Sequence, residues 1–347
     1  MRTGKPRILI VRLSAIGDVI RTLPALHVIR EAQPEARIDW AVEPKSASIL
    51  EGHPALDEVI VFPRSSGFAG NASAFWKFLN HIRRNRYDVV LDFHGIFKSG
   101  LLTWYSGAKE RYGFAPPRSQ EMSWYGLNRR IKLPSQDLNR VDENLRLCQA
   151  FVKEIAWPNT SLYVPTDVQE EVDDFFDATF DGGKLVVAMH VPVDRPEKQW
   201  PLGHFADLTD MLLADGRFEV LLTWGPGQFE VAQAVYDLAR RKPIMAPHTP
   251  DLKHYAWLVH RAAMYFGSDT GNMHVAASMG VPVVALFGPT DPAKHAPYRH
   301  PHRALRGDNS GNSSMDAISV DSAYDACIGL LFVDCAKKPA SPNSSPA

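Results

Sequence analysis

The stretch that decides the fold is GSDTGNMHVAASMGVPVVALFGPTDP, residues 267–292. An apolar strand ending at Phe266 runs into a polar Ser-Asp-Thr-Gly turn, then a helix closed by Gly280, then a second buried strand from Val283 to Phe287. This order predicts a βαβ unit. The first N–H groups of such a helix have no partner within the helix and carry partial positive charge, so an anion can bind there. We infer that the anion is a nucleotide diphosphate.

The pattern alone leaves two interpretations of this turn. Asp and Thr are favoured helix N-caps, so Asp269 and Thr270 would only cap the helix and His274 would only occupy its face. Alternatively the three side chains line a ligand site, and Gly271 lets the ligand approach the backbone closely.

Length and composition limit the possible classes of protein. The chain has 347 residues, too many for one ordinary core, which suggests two domains of about 150 residues each. A formal net charge of −1 argues against a general nucleic-acid binder. Three cysteines, Cys148, Cys327 and Cys335, have neither metal-ligand spacing nor a disulfide framework, as expected in a reducing cytosol. We find no signal peptide and no apolar run of about 20 residues, so a protein acting at a membrane would lie on its surface.

Strand and helix patterns alternate in both halves of the chain. Arg7 to Leu13 begins the first alternation, and Lys184 to His190 begins the second. We therefore predict an α/β protein with two doubly wound, Rossmann-like domains facing across a cleft. The predicted domains are 1–160 and 161–335, the second of which holds the nucleotide site; we expect the tail, 336–347, to be disordered.

Residues 269–292 closely resemble the signature of the heptosyltransferases, glycosyltransferase family nine. The resemblance implies a GT-B fold and assigns Asp269, Thr270, Gly271 and His274 to the pocket for the donor's ADP and sugar.

A second resemblance lies near the N-terminus, where RILIVRLSAIGDVIRTLPAL looks like the opening signature of the same family. It implies that Asp18 is the general base, although Arg21 stands where family members usually have His. The alternative from residue type is that Asp18 is a helix N-cap. Because Asn caps about as well as Asp but accepts no proton, we predict that Asp18→Asn folds with near-normal stability and loses transfer.

Further donor contacts follow from the resemblance. Lys198 falls in the family's Lys-x-Trp-Pro pattern and is implied to support the donor phosphates, whereas residue type alone suggests a solvated loop lysine. Glu230 falls near acidic residues that contact the donor in the family, or it simply favours the dipole of its helix.

The resemblance makes domain 1–160 the acceptor-binding domain and implies acceptor contacts at three basic positions. YDVVLDFHGIFKSGLL resembles the segment of the first heptosyltransferase that carries Lys98, with His94 replacing Gln, while Arg64 and Arg118 fall where the family keeps basic residues. A guanidinium matches carboxylate and phosphate groups well, but loop arginines are also commonly solvated. His295, His300 and His302 lie in a Pro-rich loop without metal-ligand spacing, so we predict no metal site.

The resemblance implies a metal-independent, inverting transferase without a cofactor. It implies ADP-L-glycero-D-manno-heptose as donor and Kdo-lipid A, the lipopolysaccharide inner core, as acceptor. The protein would then be cytoplasmic and peripheral to the cytoplasmic face of the inner membrane. Basic residues are candidates for lipid contact or are scattered surface charge: Arg83, Arg84, Arg86, Arg129, Arg130 and Lys132. The alternatives are a family member with another donor or acceptor (outer core, O-antigen or protein), a sugar-nucleotide epimerase, or a silent binding module.

Overall fold

The chain divides into two compact units. In this computed structural model the first unit comprises Met1–Pro165 with Asp251–Lys253, and the second comprises Thr166–Pro250 with His254–Ala347. The structure describes residues 5–63, 72–152, 162–307 and 314–334. The predicted tail, 336–347, and Arg64 lie outside these ranges.

The first unit is built on a six-stranded parallel sheet with the order β3-β2-β1-β4-β5-β6. Its strands are β1 (Arg7–Val11), β2 (Arg37–Val42), β3 (Glu58–Val61), β4 (Val89–Asp92), β5 (Glu110–Phe114) and β6 (Arg129–Ile131). Its helices are α1 (Ile16–Ile20), α2 (Leu23–Ala32), α3 (Pro44–Leu50), α4 (Ala72–Asn85), α5 (Phe97–Ser106) and α6 (Arg140–Gln149), with a 3-10 turn at Ser123–Gly126.

The second unit repeats this topology. Its parallel sheet has the order β12-β11-β10-β7-β8-β9. The strands are β7 (Leu185–His190), β8 (Phe218–Thr223), β9 (Ile244–Met245), β10 (Met264–Ser268), β11 (Val283–Phe287) and β12 (His302–Arg306). The helices are α7 (Thr166–Thr179), α8 (Leu202–Asp215), α9 (Phe229–Leu238), α10 (Leu252–His260), α11 (Gly271–Ser278), α12 (Pro292–His295) and α13 (Val320–Ile328), with 3-10 turns at Pro196–Lys198 and Met315–Ala317 and a π-helical end at Gly329–Asp334.

The central strands are buried because helices cover both faces of each sheet. All five residues of β11 are buried, as are the last four of β1. Such strands read as continuous apolar runs, which is why the sequence predicts them well. The predicted α/β class with two doubly wound halves is confirmed.

Each sheet reverses its strand order once, between β1 and β4 in the first unit and between β7 and β10 in the second. In open parallel sheets, ligands bind beyond the carboxyl ends of the strands at this reversal. We therefore expect ligand sites at two carboxyl edges, one around Val11 and Asp92 and the other around His190 and Ser268. In the described ranges, no helix has the length and apolar character needed to cross a bilayer.

Candidate active site

The carboxyl edge of the second sheet brings Lys198 onto Asp269. Lys198 ends a 3-10 turn, and its Nζ donates to both the backbone oxygen and Oδ2 of Asp269, each at 2.8 Å. Thr290 Oγ1 donates to the same Oδ2 at 2.7 Å. Burial alone would raise the pKa of Asp269, but the Lys198 charge and hydrogen bond bring that pKa below its usual value. The result is a nearly buried carboxylate that fixes a lysine ammonium in place.

Helix α11 begins directly after this carboxylate. Thr270 occupies the N-cap position, but its side chain makes no capping hydrogen bond, and the Asp269 side chain is bonded to Lys198 and Thr290. The alternative in which Asp269 and Thr270 act only as caps is therefore wrong. Backbone N–H groups of the first turn, beginning at Gly271, remain available to an anion.

His274 lies on the first turn of α11 and faces back toward the same carboxylate. Its Nε2 is 4.0 Å from Asp269 Oδ1, and both side chains are more than 90% buried. The structure thus brings together five of the predicted donor residues: Lys198, Asp269, Thr270, Gly271 and His274. Glu230 is an exposed residue in the first turn of α9, which follows the carboxyl end of β8 on the same edge of the sheet.

A buried histidine that sequence reasoning missed lies under this cluster. His190, at the end of β7, receives a hydrogen bond at Nε2 from the Asn272 amide (2.5 Å), so the neutral ring carries its proton on Nδ1 and donates to Thr223 Oγ1 at 3.0 Å. Burial lowers the pKa of His190 to about 3, so the ring is neutral near pH 7. His190 ties β7, β8 and α11 together. Its signal was a polar residue ending an otherwise apolar strand.

In the first unit, Asp18 is held between two arginines. Helix α1 begins at Ile16 with Ala15 as its N-cap, so the interpretation of Asp18 as the cap is wrong. Asp18 Oδ2 pairs with Arg12 and Oδ1 with Arg21. The arginine side chains are 7% and 11% exposed, whereas Asp18 is 29% exposed, so an edge of the carboxylate stays within reach of a ligand.

Arg12 is the deeper of the two arginines. Its Nη1 donates to the Phe93 carbonyl at 2.7 Å, which joins the end of β1 to the end of β4. Burial lowers the pKa of Arg12 to about 10, opposed by the charge of Asp18, so the guanidinium is still charged at neutral pH. Arg12 therefore anchors the Asp18 carboxylate to the point where the strand order reverses.

His94 lies beside this pair. Leu13 N–H donates to Nδ1 at 3.1 Å, so the neutral imidazole carries its proton on Nε2. Burial, and next the charge of Arg12, lower the pKa of His94 to about 3. His94 is therefore a neutral hydrogen-bond donor near pH 7.

Two of the predicted acceptor residues border the same edge. Arg118 Nε donates to the buried Glu143 at 2.6 Å, and Arg140 Nη1 binds the same carboxylate at 2.7 Å. Lys98, on the first turn of α5, is half-exposed and pairs with Glu43 at 2.8 Å. Glu143, 25 residues from Arg118, carried no signal in the sequence.

The loop predicted for the three histidines is only partly correct, because His295 ends α12 and His302 begins β12. His300 Nε2 lies 2.7 Å from the Val281 carbonyl, and His302 Nδ1 lies 2.8 Å from the His300 carbonyl. Throughout the ranges that the structure describes, no group of three His, Cys, Asp or Glu side chains is arranged to hold a metal ion.

Comparison with known proteins places the chain in a family. Residues 75–320 match glycosyltransferase family 9 (heptosyltransferase). The chain is 26% identical to the lipopolysaccharide core heptosyltransferase OpsX of Haemophilus influenzae over 84% of this chain and 81% of that protein. It is 28% identical to lipopolysaccharide heptosyltransferase 1 of Escherichia coli K12, over 82% of this chain and 89% of that protein.

A solved structure extends the similarity to nearly the whole fold. The E. coli heptosyltransferase WaaC with ADP superposes with a TM-score of 0.76 at 25% identity, covering 93% of this chain and 99% of that one. The same enzyme has been solved with ADP-2-deoxy-2-fluoro heptose, with a TM-score of 0.72 at 26% identity, covering 91% of this chain and 97% of that one. These similarities confirm the predicted GT-B fold and the resemblance read from the two signatures. Because the family match covers most of the chain, the protein belongs to glycosyltransferase family 9, the heptosyltransferases, and is a glycosyltransferase.

Proposed function

We propose that this transferase moves heptose from ADP-L-glycero-D-manno-heptose to Kdo of the lipopolysaccharide inner core, carried on lipid A, with inversion at the sugar carbon. The observation that carries the proposal is the similarity to lipopolysaccharide heptosyltransferase 1 over most of both chains. The structure of the related E. coli WaaC with ADP-2-deoxy-2-fluoro heptose supports the choice of an ADP-heptose donor.

The donor half of the mechanism rests on the cluster around Asp269. A diphosphate placed at the start of α11 would meet the backbone N–H groups and the Lys198 ammonium. Asp269 is itself an anion and 7% exposed, so it would repel the diphosphate if it faced it directly. We assign it to holding Lys198 in place, while Lys198 and the N–H groups take up the charge that develops as ADP leaves. Removing one such donor typically costs about 10²- to 10³-fold in turnover.

The acceptor half rests on Asp18. An acceptor hydroxyl loses its proton to the Asp18 carboxylate, its oxygen forms a bond to the anomeric carbon, and the bond from that carbon to the diphosphate oxygen breaks. Attack on the face opposite the leaving group inverts the centre. Arg12 and Arg21 aim the carboxylate, and His94 offers its neutral Nε2–H to an acceptor oxygen.

An acidic acceptor suits the charges around Asp18. The guanidinium of Arg118 is 18% exposed, and it keeps nitrogen atoms beyond the Nε that Glu143 binds. Kdo carries a carboxylate, the group that a guanidinium recognises best. We therefore assign Arg118 and Lys98 to the acceptor; Arg64 stays a sequence prediction. The lipid acceptor would place the enzyme at the cytoplasmic face of the inner membrane.

Three reactions test the proposal. Donor with Kdo-lipid A should give ADP and a product heavier than the acceptor by one heptosyl unit, as read by mass spectrometry. Donor with an acceptor that already carries heptose should give no product, whereas transfer there would assign the enzyme to a later core step. Donor alone should stay unchanged, and an altered free sugar nucleotide would favour an epimerase. The absence of a heavier product in the first two reactions would overturn the proposal.

A further inference from the structure

The first unit exposes a cluster of large apolar side chains. Eleven such residues are exposed in the described ranges, and six of them lie on α4, α5 and the loop around the 3-10 turn Ser123–Gly126. We call these six the aromatic surface: Trp76, Phe97, Leu101, Trp104, Met122 and Tyr125, each between 37% and 70% exposed. Scattered exposed apolar residues are ordinary, but a contiguous set marks an interaction site.

The aromatic surface is contiguous because α5 packs closely on the 3-10 turn. Phe97, Leu101 and Trp104 follow the spacing i, i+4, i+7, which places them on one face of α5. A carbon added at Gly100 would lie 2.5 Å from the Ser123 carbonyl oxygen, so helix and turn meet backbone to backbone. This contact brings Met122 and Tyr125 alongside the apolar face of α5.

The aromatic surface continues from α5 onto α4. The ring of Trp76 lies 6.2 Å from that of Tyr105, edge to face, and Tyr105 directly follows Trp104 on α5. Three structural elements that are separate in sequence therefore present their apolar side chains together.

Positive charge surrounds the aromatic surface. Residues 72–132 contain eleven Lys and Arg and four Asp and Glu, a net charge of +7, in a chain whose overall charge is −1. The exposed basic residues of this segment, apart from Lys98, form what we call the basic rim: Lys77, Arg83, Arg84, Arg86, Lys109, Arg129, Arg130 and Lys132. Arg83 is anchored at the end of α5, where its Nη1 donates to the Tyr105 carbonyl at 3.0 Å. Arg129 and Arg130 follow the 3-10 turn on the edge strand β6.

These properties select one class of partner. Trp and Tyr are enriched at membrane interfaces, where the ring meets lipid and the polar atom meets water, and exposed Lys and Arg attract anionic headgroups. A second copy of this chain is a poor fit, since a two-fold interface would place the same positive segment against itself. An anionic bilayer fits both features, because its acyl region can bury the apolar side chains while its headgroups neutralise the basic rim.

We propose that the aromatic surface and its basic rim dock the protein on an anionic lipid bilayer. Helix α5 begins three residues after His94, so docking through α5 would hold the carboxyl edge around Asp18 close to the bilayer. None of the six apolar side chains is assigned to transfer, and their binding to lipid is measurable without donor or acceptor.

Vesicle sedimentation without substrates tests the proposal. The full chain should bind vesicles of phosphatidylcholine with phosphatidylglycerol, and raised salt or phosphatidylcholine alone should weaken binding at least about tenfold, because several basic residues contribute. The double variant Leu101→Ser, Trp104→Ser should lose at least tenfold in partition coefficient. The matched control Leu238→Ser, at an equally exposed apolar residue on α9, should bind as wild type does.

Two further measurements separate the possible failures. Thermal melting establishes that the double variant is folded, which its exposed positions favour. Turnover on a Kdo acceptor without acyl chains should stay at the wild-type rate, so a loss of vesicle binding does not depend on the proposed reaction. Equal vesicle binding by the wild type and the folded double variant would overturn the proposal. A second outcome would also overturn it: the wild type forms a dimer in sedimentation velocity, the double variant does not, and neither protein binds vesicles.

Discussion

Replacing Asp18 by Asn separates a general base from a residue that only supports the fold. The amide keeps the shape of the side chain and one oxygen acceptor, but it takes no proton from a sugar hydroxyl. General-base catalysis typically contributes about 10²- to 10⁴-fold in rate, or roughly 2.7–5.4 kcal/mol of barrier. We therefore expect single-turnover transfer at saturating substrates to fall by that factor in Asp18→Asn, with little change in donor affinity.

The structure also predicts a loss of stability in Asp18→Asn, in place of the near-normal stability expected from the sequence. Arg12, with its side chain 7% exposed, would lose its counter-ion and keep the Phe93 carbonyl. Breaking a buried pair typically costs about 3–5 kcal/mol, and the partial exposure of Asp18 places this case near roughly 3 kcal/mol. For a unit of this size, that cost lowers Tm by roughly 6–12 °C. Thermal melting of the variant therefore comes first, so that its activity is measured at a temperature well below its Tm.

The control for Asp18→Asn is an ion pair with no proposed part in transfer. Asp173 pairs with Arg261 on the second unit, both side chains being about a third exposed. Asp173→Asn should cost about 1 kcal/mol or less and leave transfer unchanged. If folded Asp18→Asn transfers heptose at the wild-type rate, Asp18 is not the base. If it melts at the wild-type temperature, the carboxylate does not stabilise Arg12 as the geometry requires.

Three further outcomes follow from the described contacts. Lys198→Met should lower turnover about 10²- to 10³-fold, because it removes a hydrogen-bond donor to the diphosphate. The control Lys184→Met, at the opposite end of β7, should leave turnover unchanged. Equal turnover for Lys198→Met and wild type would contradict the role assigned to Lys198. Glu143→Gln should raise KM for the acceptor and leave KM for the donor unchanged, because the neutral amide holds Arg118 less firmly; steady-state kinetics with each substrate varied decides this. Burial lowers the pKa of His53 to about 4, below the roughly 6.5 of an unfolded chain. The unfolded state then binds more protons, so the free energy of unfolding falls as the pH falls from 7 toward 4. In urea melts, the free energy of unfolding of His53→Asn should fall by roughly 2 kcal/mol less than that of wild type between pH 7 and 5. An equal fall in both proteins would refute the reasoning.

The sequence predicts the centre of each sheet better than its edge. The pattern predicts strands at Phe218–Thr223 and Val283–Phe287, and these bounds agree with β8 and β11, because strands covered on both faces must be apolar throughout. Beyond Tyr105 the sequence becomes polar and contains prolines, and its pattern predicts neither β5 nor β6. The edge strand β6 reads Arg-Arg-Ile and exposes both arginines, so its backbone pairing leaves no hydrophobic pattern in the sequence.

The candidate site divides along similar lines. The resemblance to the family signature assigned residues 269–274 to the donor site as a group, and a helix terminus gives that assignment a physical reason, because it concentrates anion-binding groups within a few positions. What the sequence did not reveal is the partner of each charge. Asp269 is held by Lys198, 71 residues away, and Arg118 by Glu143. Asp18 was assigned a possible cap from residue type, but α1 begins two residues before it and two arginines bind its carboxylate. In each case a tertiary ion pair outweighs a local preference worth about 1 kcal/mol.

The two aspartates show why exposure, rather than charge alone, separates a base from a positioning residue. Each stands near the carboxyl edge of its sheet, and each carboxylate is held by cationic side chains. Asp269 is 7% exposed and accepts a hydrogen bond from Lys198. We therefore assign it to positioning that ammonium. Asp18 is 29% exposed, four times as much, while the arginines that hold it are almost buried. That exposure gives a ligand hydroxyl access to the Asp18 side chain, which a proton acceptor needs because a base must touch the hydroxyl that it deprotonates.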